Sequence, residues 1–306
     1  MRIDVMVTVL AGVLIFCGAV DSHAQGMKGK RGMMGGTEGQ GDRPEGMQGR
    51  AKGGDAAKPA EGEGGPSPEI LGAFSPTRAD LEHMHTRGFF PTGLEPVYPD
   101  NLACPVVNSF FAGSSRGDGS SRSRRFYQGY HGGMDIPVPE GTSILAVADG
   151  TVVRKEVGEN IGGIGMVLQH SPQDTGLPVW TYTEYKHLQE LPVLKLGQRV
   201  RMGEVIAKAG VSGTTGGHYG PRGHSHLHLT AWYSKGNEYR SLRMFIPVGG
   251  FWMDPLALFR KPPFDSAALR DLPDEQKKTV IAYKTGDGRI VPEGTRVVWP
   301  LVCTLK

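Results

Sequence analysis

Between residues 143 and 232 the chain runs through six short segments rich in branched and aromatic residues, each closed by Gly, Asp or Pro. They are Ser143–Ala148, Thr151–Glu156, Gly165–His170, Val179–His187, Val205–Ala209 and Ser225–Trp232. Runs of this length and composition read as strands, and no sustained helical period interrupts them. The 46 glycines of the 306-residue chain supply the breaks between runs. The predicted fold is mainly β: a compact antiparallel β-sheet core with stacked, barrel-sandwich-like layers and an irregular N-terminal segment. At over a hundred residues such a core buries enough apolar surface to fold without a structural metal.

Two clusters of chemistry-bearing residues sit on this frame. His131 and Asp135 are four apart, an imidazole and a carboxylate of the kind that hold a divalent metal. Gly132, Gly133 and Pro137 argue against a helix there, so the pair is expected on a turn entering extended chain. The second cluster is His224-Ser225-His226-Leu227-His228-Leu229. Residues two apart on a strand share a face, which sends His226 and His228 into one cleft and Leu227 and Leu229 into a core. His224 and His226 form a competing pair one register earlier; the leucine alternation favours the later pair. Between the clusters lies Tyr185-Lys186-His187-Leu188. Isolated histidines such as His170 and His218 are expected to be structural. His83 and His85 sit about 200° apart if helical, which rules out joint chelation.

His131-Gly-Gly-Met-Asp135, Tyr185-Lys-His187-Leu and His226-Leu-His228-Leu, in that order, resemble the lysostaphin/LytM-type zinc metallopeptidases that cut peptidoglycan peptides. The connecting Glu140-Gly141-Thr142, Asp149-Gly150, Leu196-Gly197-Gln198 and Gly210-Val-Ser-Gly213 agree with that pattern, over roughly residues 125 to 233. The resemblance implies one zinc per chain held by His131, Asp135 and His228, with His187 and His226 as the catalytic pair. It implies a metalloendopeptidase acting on stem peptides or cross-links of peptidoglycan. The alternative is a LytM-like protein that binds the wall or regulates hydrolases without chemistry of its own. Relatives of that kind are degenerate at the zinc positions, and here all five residues are present. The segment Gly216–Arg222 departs from the usual shorter approach to the histidine pair.

The remaining chain divides around this domain, set at 125–260. Residues 1–24 have the Arg2, apolar run and Ser22-His23-Ala24 of a secretory signal cleaved before Gln25. Its apolar run is shorter than a spanning helix needs, so no stable membrane insertion is expected after cleavage and the protein is expected in the periplasm or outside the cell. Residues 25–68 are glycine-rich and without aromatics, a composition that cannot offset its own ordering entropy and predicts a disordered linker. Residues 69–124 are expected to be an irregular segment on the core, with one short helix near Pro76–His85. Within it the Ser/Gly/Arg run from Ser114 to Arg125 predicts an exposed loop beside the cleft, whose Arg116, Arg122, Arg124 and Arg125 could meet a carboxylate. Residues 261–306 form an extension with a short helix over Ser266–Lys277 and a terminal hairpin turning at Gly286-Asp287-Gly288. Two cysteines remain after signal removal, Cys104 and Cys303, and an oxidising compartment allows them to join. A net charge of +3 is too mild for a nucleic-acid binder.

Overall fold

The computed structural model describes residues 65–158 and 162–306. The signal expected over residues 1–24 and nearly all of the linker expected over 25–68 lie outside the described residues. No helix among the described residues is long and apolar enough to cross a membrane.

The core is a curled antiparallel sheet of seven strands: β1 (Met134–Pro137), β2 (Gly150–Gly158), β3 (Gly163–His170), β4 (Trp180–Lys186), β5 (Arg199–Val200), β6 (His226–Ser234) and β7 (Phe251–Met253). Its order is β7-β6-β4-β3-β2-β5, with β1 also beside β6. Strand β6 is the hinge of this arrangement. One of its edges pairs with β4 along its length, and the other is shared between β1, opposite residues 226 to 229, and β7, opposite residues 231 to 233. The strand with the second histidine cluster is therefore flanked by the strand that carries Asp135 and the strand that leads to His187.

Alternation along the strands divides the apolar interior in two. Leu227, Leu229, Met134, Ile136, Met166, Leu168 and Tyr185 face one hydrophobic core. Trp232, Tyr182, Val153 and Val167 face another, where Trp252 of β7 and Phe74 and Phe89 of the flanking chain join them. The separate ribbon Ser143–Leu145 with Val205–Lys208 closes the first core. Fold class and strand positions thus follow the period-two pattern of the sequence.

The flanking segments differ from expectation in their helices. In place of one helix over Pro76–His85 there are two: α1 (Pro68–Phe74) and α2 (Leu81–Thr86). Ser67 caps α1 with its hydroxyl and Pro68 occupies the first turn, while Asp80 caps α2 by accepting from the His83 amide. A proline at 76 and a cap at 80 place the boundary inside the expected helix. The helix expected over Ser266–Lys277 stops at Arg270 and resumes as one 3₁₀ turn, Asp274–Gln276, because Pro273 intervenes. The terminal hairpin forms, pairing Tyr283–Lys284 with Ile290–Val291. Cys104 and Cys303 are joined in a disulfide that ties the extension to the segment before the domain.

Candidate metal centre

His131, Asp135, His187, His226 and His228 converge on one face of the sheet. Asp135 stands directly opposite His228 in the β1–β6 ladder, so both side chains emerge side by side on the same face. His226 emerges two residues earlier on that face. His131 precedes β1 by a turn of two glycines, and His187 is the first residue after β4.

His187 has φ +60, left-handed backbone that costs a residue with a Cβ on the order of 1 kcal/mol or more. The strain turns the chain out of the strand and brings the imidazole back over the sheet. It is held by two contacts: the Gly210 amide donates to the His187 carbonyl, and the ring Nδ1 lies 2.7 Å from the Ser212 carbonyl. Its ring centre is 4.6 Å from that of His226 and 5.7 Å from that of His228.

Main-chain carbonyls set the tautomers of three of the histidines. Nδ1 of His131 faces the Phe110 carbonyl at 3.1 Å, Nδ1 of His226 faces the His224 carbonyl at 2.9 Å, and Nδ1 of His187 faces Ser212. A carbonyl only accepts, so each Nδ1 carries the proton and each Nε2 is left with its lone pair. His228 is not fixed in this way: its Nε2 is 3.1 Å from the Thr230 hydroxyl, which can donate or accept, and its Nδ1 points inward.

Three ligand atoms meet there. His131 Nε2, His228 Nδ1 and Asp135 Oδ1 lie 3.0, 2.8 and 3.1 Å from one another. Neutral lone pairs and a carboxylate at that distance repel unless a proton or a cation sits among them. Ligand atoms about 2.0–2.1 Å from a tetrahedral zinc stand roughly 3.3 Å apart, so the donor set fits zinc in both chemistry and spacing. A second donor group, His187, His226 and His228, shares His228 with the first. The first is the tighter and the more buried.

Burial pushes His131 and His187 below the usual histidine range, and the neighbouring histidines push His187 further. Burial likewise brings His228 down to about 4. Burial opposes charge on Asp135 as well, but the imidazoles around it, His131 first and then His226 and His228, hold its carboxyl well below the usual range. For His226 burial is outweighed by contact with Asp135, and the ring is raised. Beyond the histidines the same sheet face carries ion-paired charge: Lys186 Nζ is 3.2 Å from Glu156 and 3.5 Å from Glu184.

Residues 129–240 match the model for peptidase family M23. This segment carries the resemblance to M23 peptidases. It is 38% identical over 101 residues to an uncharacterized metalloprotease of Haemophilus influenzae, covering 32% of this chain and 18% of that protein. It is 32% identical over 105 residues to an uncharacterized metalloprotease of Buchnera aphidicola, covering 34% and 24% respectively. The chain thus spans a quarter or less of the length of these relatives. Among solved structures it is similar to the catalytic domain of the antimicrobial peptidase lysostaphin from Staphylococcus simulans, at 25% identity over 36% of this chain and 73% of that one, with a TM-score of 0.28.

Histidines outside the two donor groups take other places. His224 precedes β6, half-exposed, and stacks between Tyr219 and His226. His170 is fully buried, bonded to the Asp149 carbonyl and the Thr183 hydroxyl. His218 pairs with Asp118 on the surface. Of the four loop arginines, only Arg122 enters the candidate site, with Nη2 3.0 Å from Asp135 Oδ2. The three tautomer-setting carbonyls and the Arg122–Asp135 contact have no local mark in the sequence.

Proposed function

We propose that the protein is an exported zinc metalloendopeptidase that hydrolyses peptide bonds in peptidoglycan stems or cross-links. The observation that carries this reading is the convergence of His131 Nε2, Asp135 Oδ1 and His228 Nδ1 within about 3 Å of one another, in the segment that matches the M23 peptidase model. His131, Asp135 and His228 would hold the metal. Zinc bound there supplies a Lewis acid for the scissile carbonyl and brings the pKa of a water toward about 7.

The chain's own groups do the rest. His187 and His226 each keep Nδ1–H on a main-chain carbonyl, so neither ring can turn and each presents Nε2 to the cleft. An Nε2 lone pair accepts a proton from the attacking water, and the protonated ring then donates to the developing oxyanion or the leaving amine. Export is supported by the signal-like residues 1–24 and by the Cys104–Cys303 disulfide, which suits an oxidising compartment. The non-catalytic reading is disfavoured because all five site residues are present and gathered.

The test uses the exported chain, purified, dialysed and assayed for zinc, then incubated with sacculi whose fragments are identified by mass spectrometry. About one zinc per chain and new peptide termini are expected, and His228→Ala and Asp135→Ala should lose the metal. Full occupancy in both variants refutes the ligand set, and zinc-loaded protein that leaves sacculi intact refutes the activity.

A further inference from the structure

The two oxygens of Asp135 have different company. Oδ1 faces the imidazoles, at 3.0 Å from His131, 2.8 Å from His228 and 3.4 Å from His226. Oδ2 turns away from them and meets the Arg122 guanidinium at 3.0 Å. The same Arg122 Nη2 donates to the Ser109 hydroxyl at 2.6 Å, and Nε donates to the Ser115 carbonyl at 3.2 Å. Ser109 in turn stands 3.4 Å from His131 Nδ1 and is bridged to Asp135 through the main chain. Arg122 is thus clamped at several points, mostly buried, and touches the Asp135 oxygen that faces away from the imidazoles.

We propose that Arg122 is a positioning residue for the metal centre: it fixes the Asp135 carboxylate through Oδ2, so that only Oδ1 is presented to the ion. The inference rests on the metal reading above. A carboxylate on a free side chain can rotate and offer either oxygen or both. Locking one oxygen with a planar guanidinium removes that freedom before the ion arrives, as partners behind a metal ligand commonly do. A lysine, whose ammonium is a point donor, would hold Oδ2 with less directional control.

Zinc affinity of the full chain, measured by competition with a chromophoric chelator, tests this independently of turnover. Arg122→Ala should bind zinc about 10–100-fold more weakly, the usual cost of losing an outer-shell partner, and Arg122→Lys should recover part of that loss. Arg116→Ala removes a contact internal to the same loop, to Ser120 and Ser121, and should leave the affinity unchanged. Unchanged or tighter binding in Arg122→Ala overturns the inference. So does equal weakening in Arg116→Ala, which would make loop order the cause. If the wild-type chain itself binds no zinc, the underlying metal reading fails; if it binds and Arg122→Ala matches it, only the positioning role fails.

Discussion

Adding one methyl group to Gly133 should disturb the metal centre from behind. A Cβ at Gly133 would stand 2.4 Å from the Leu229 carbonyl oxygen and 2.9 Å from His228 Nε2, where ordinary contact begins at 3.4 Å. The first of these is backbone, so no side-chain rotation relieves it. Strand β6 is held by β4 on its far edge and cannot retreat, so β1 and the turn before it must move outward by about 1 Å. That motion separates His131 and Asp135 from His228, the pair of elements whose donors now lie within about 3 Å. Overpacking of this kind costs ~1–3 kcal/mol, which lowers the apo melting temperature at roughly 2–4 °C per kcal/mol. Zinc binding would have to pull the strands together again against the same strain. At 1.4 kcal/mol per decade, affinity should fall about 5–150-fold. Calorimetry of chelator-treated protein and zinc titration measure the two effects. Gly132→Ala is the comparison, because its Cβ meets the Tyr127 ring, a side chain able to shift, and it should cost some stability with little change in zinc affinity. A Gly133→Ala protein with wild-type melting and wild-type zinc affinity would refute the reasoning.

Two further predictions concern histidines. His187→Ala and His226→Ala should retain zinc while losing about 10²–10⁴-fold in peptidoglycan hydrolysis, the usual contribution of general acid-base groups, and His224→Ala should be mild; undiminished turnover in the first two rejects their role. His170, fully buried against Asp149 and Thr183, is brought down by burial to about 4 from an ordinary 6.5. Its folded pKa is depressed, so its contribution is fully present above pH 6.5 and is lost as pH falls toward 4, where the unfolded chain takes the proton and the folded one does not. The difference corresponds to ~3 kcal/mol. In urea unfolding of chelator-treated protein, His170→Gln should lower stability at pH 7 yet flatten its fall between pH 6.5 and 4, and an equally steep fall in the variant excludes His170 as a source.

Strands were legible because burial on a sheet leaves a period-two imprint. Leu227 and Leu229 alternate with His226 and His228 because one face is a core and the other a cleft, and a slip of one residue would exchange them. Partnership was not legible. That β6 shares one edge between β1 and β7 depends on contacts across a hundred residues, which leave no local pattern. Helix α1 carried a readable start, Ser67-Pro68-Glu69, but it abuts a glycine-rich stretch whose composition dominated the reading.

The site divides the same way, by whether the functional atom belongs to a side chain or to the backbone. Imidazoles and a carboxylate in fixed order can be found in a sequence, since few residue types do that work. The carbonyls of Phe110, Ser212 and His224, which decide which nitrogen of three histidines is free, can come from any residue and so leave no trace. Arg122 falls between these cases. Its type was visible, but Arg116, Arg124 and Arg125 share its loop, and only the fold brings one guanidinium to Asp135 Oδ2. His187 shows why such details matter to function: its ring reaches the cleft through a left-handed backbone that a strand pattern would never suggest, held there by Gly210 and Ser212. Strain kept at that position by two hydrogen bonds marks His187 as a residue placed for its side chain, because an extended backbone there would cost less and carry the imidazole away from His226 and His228.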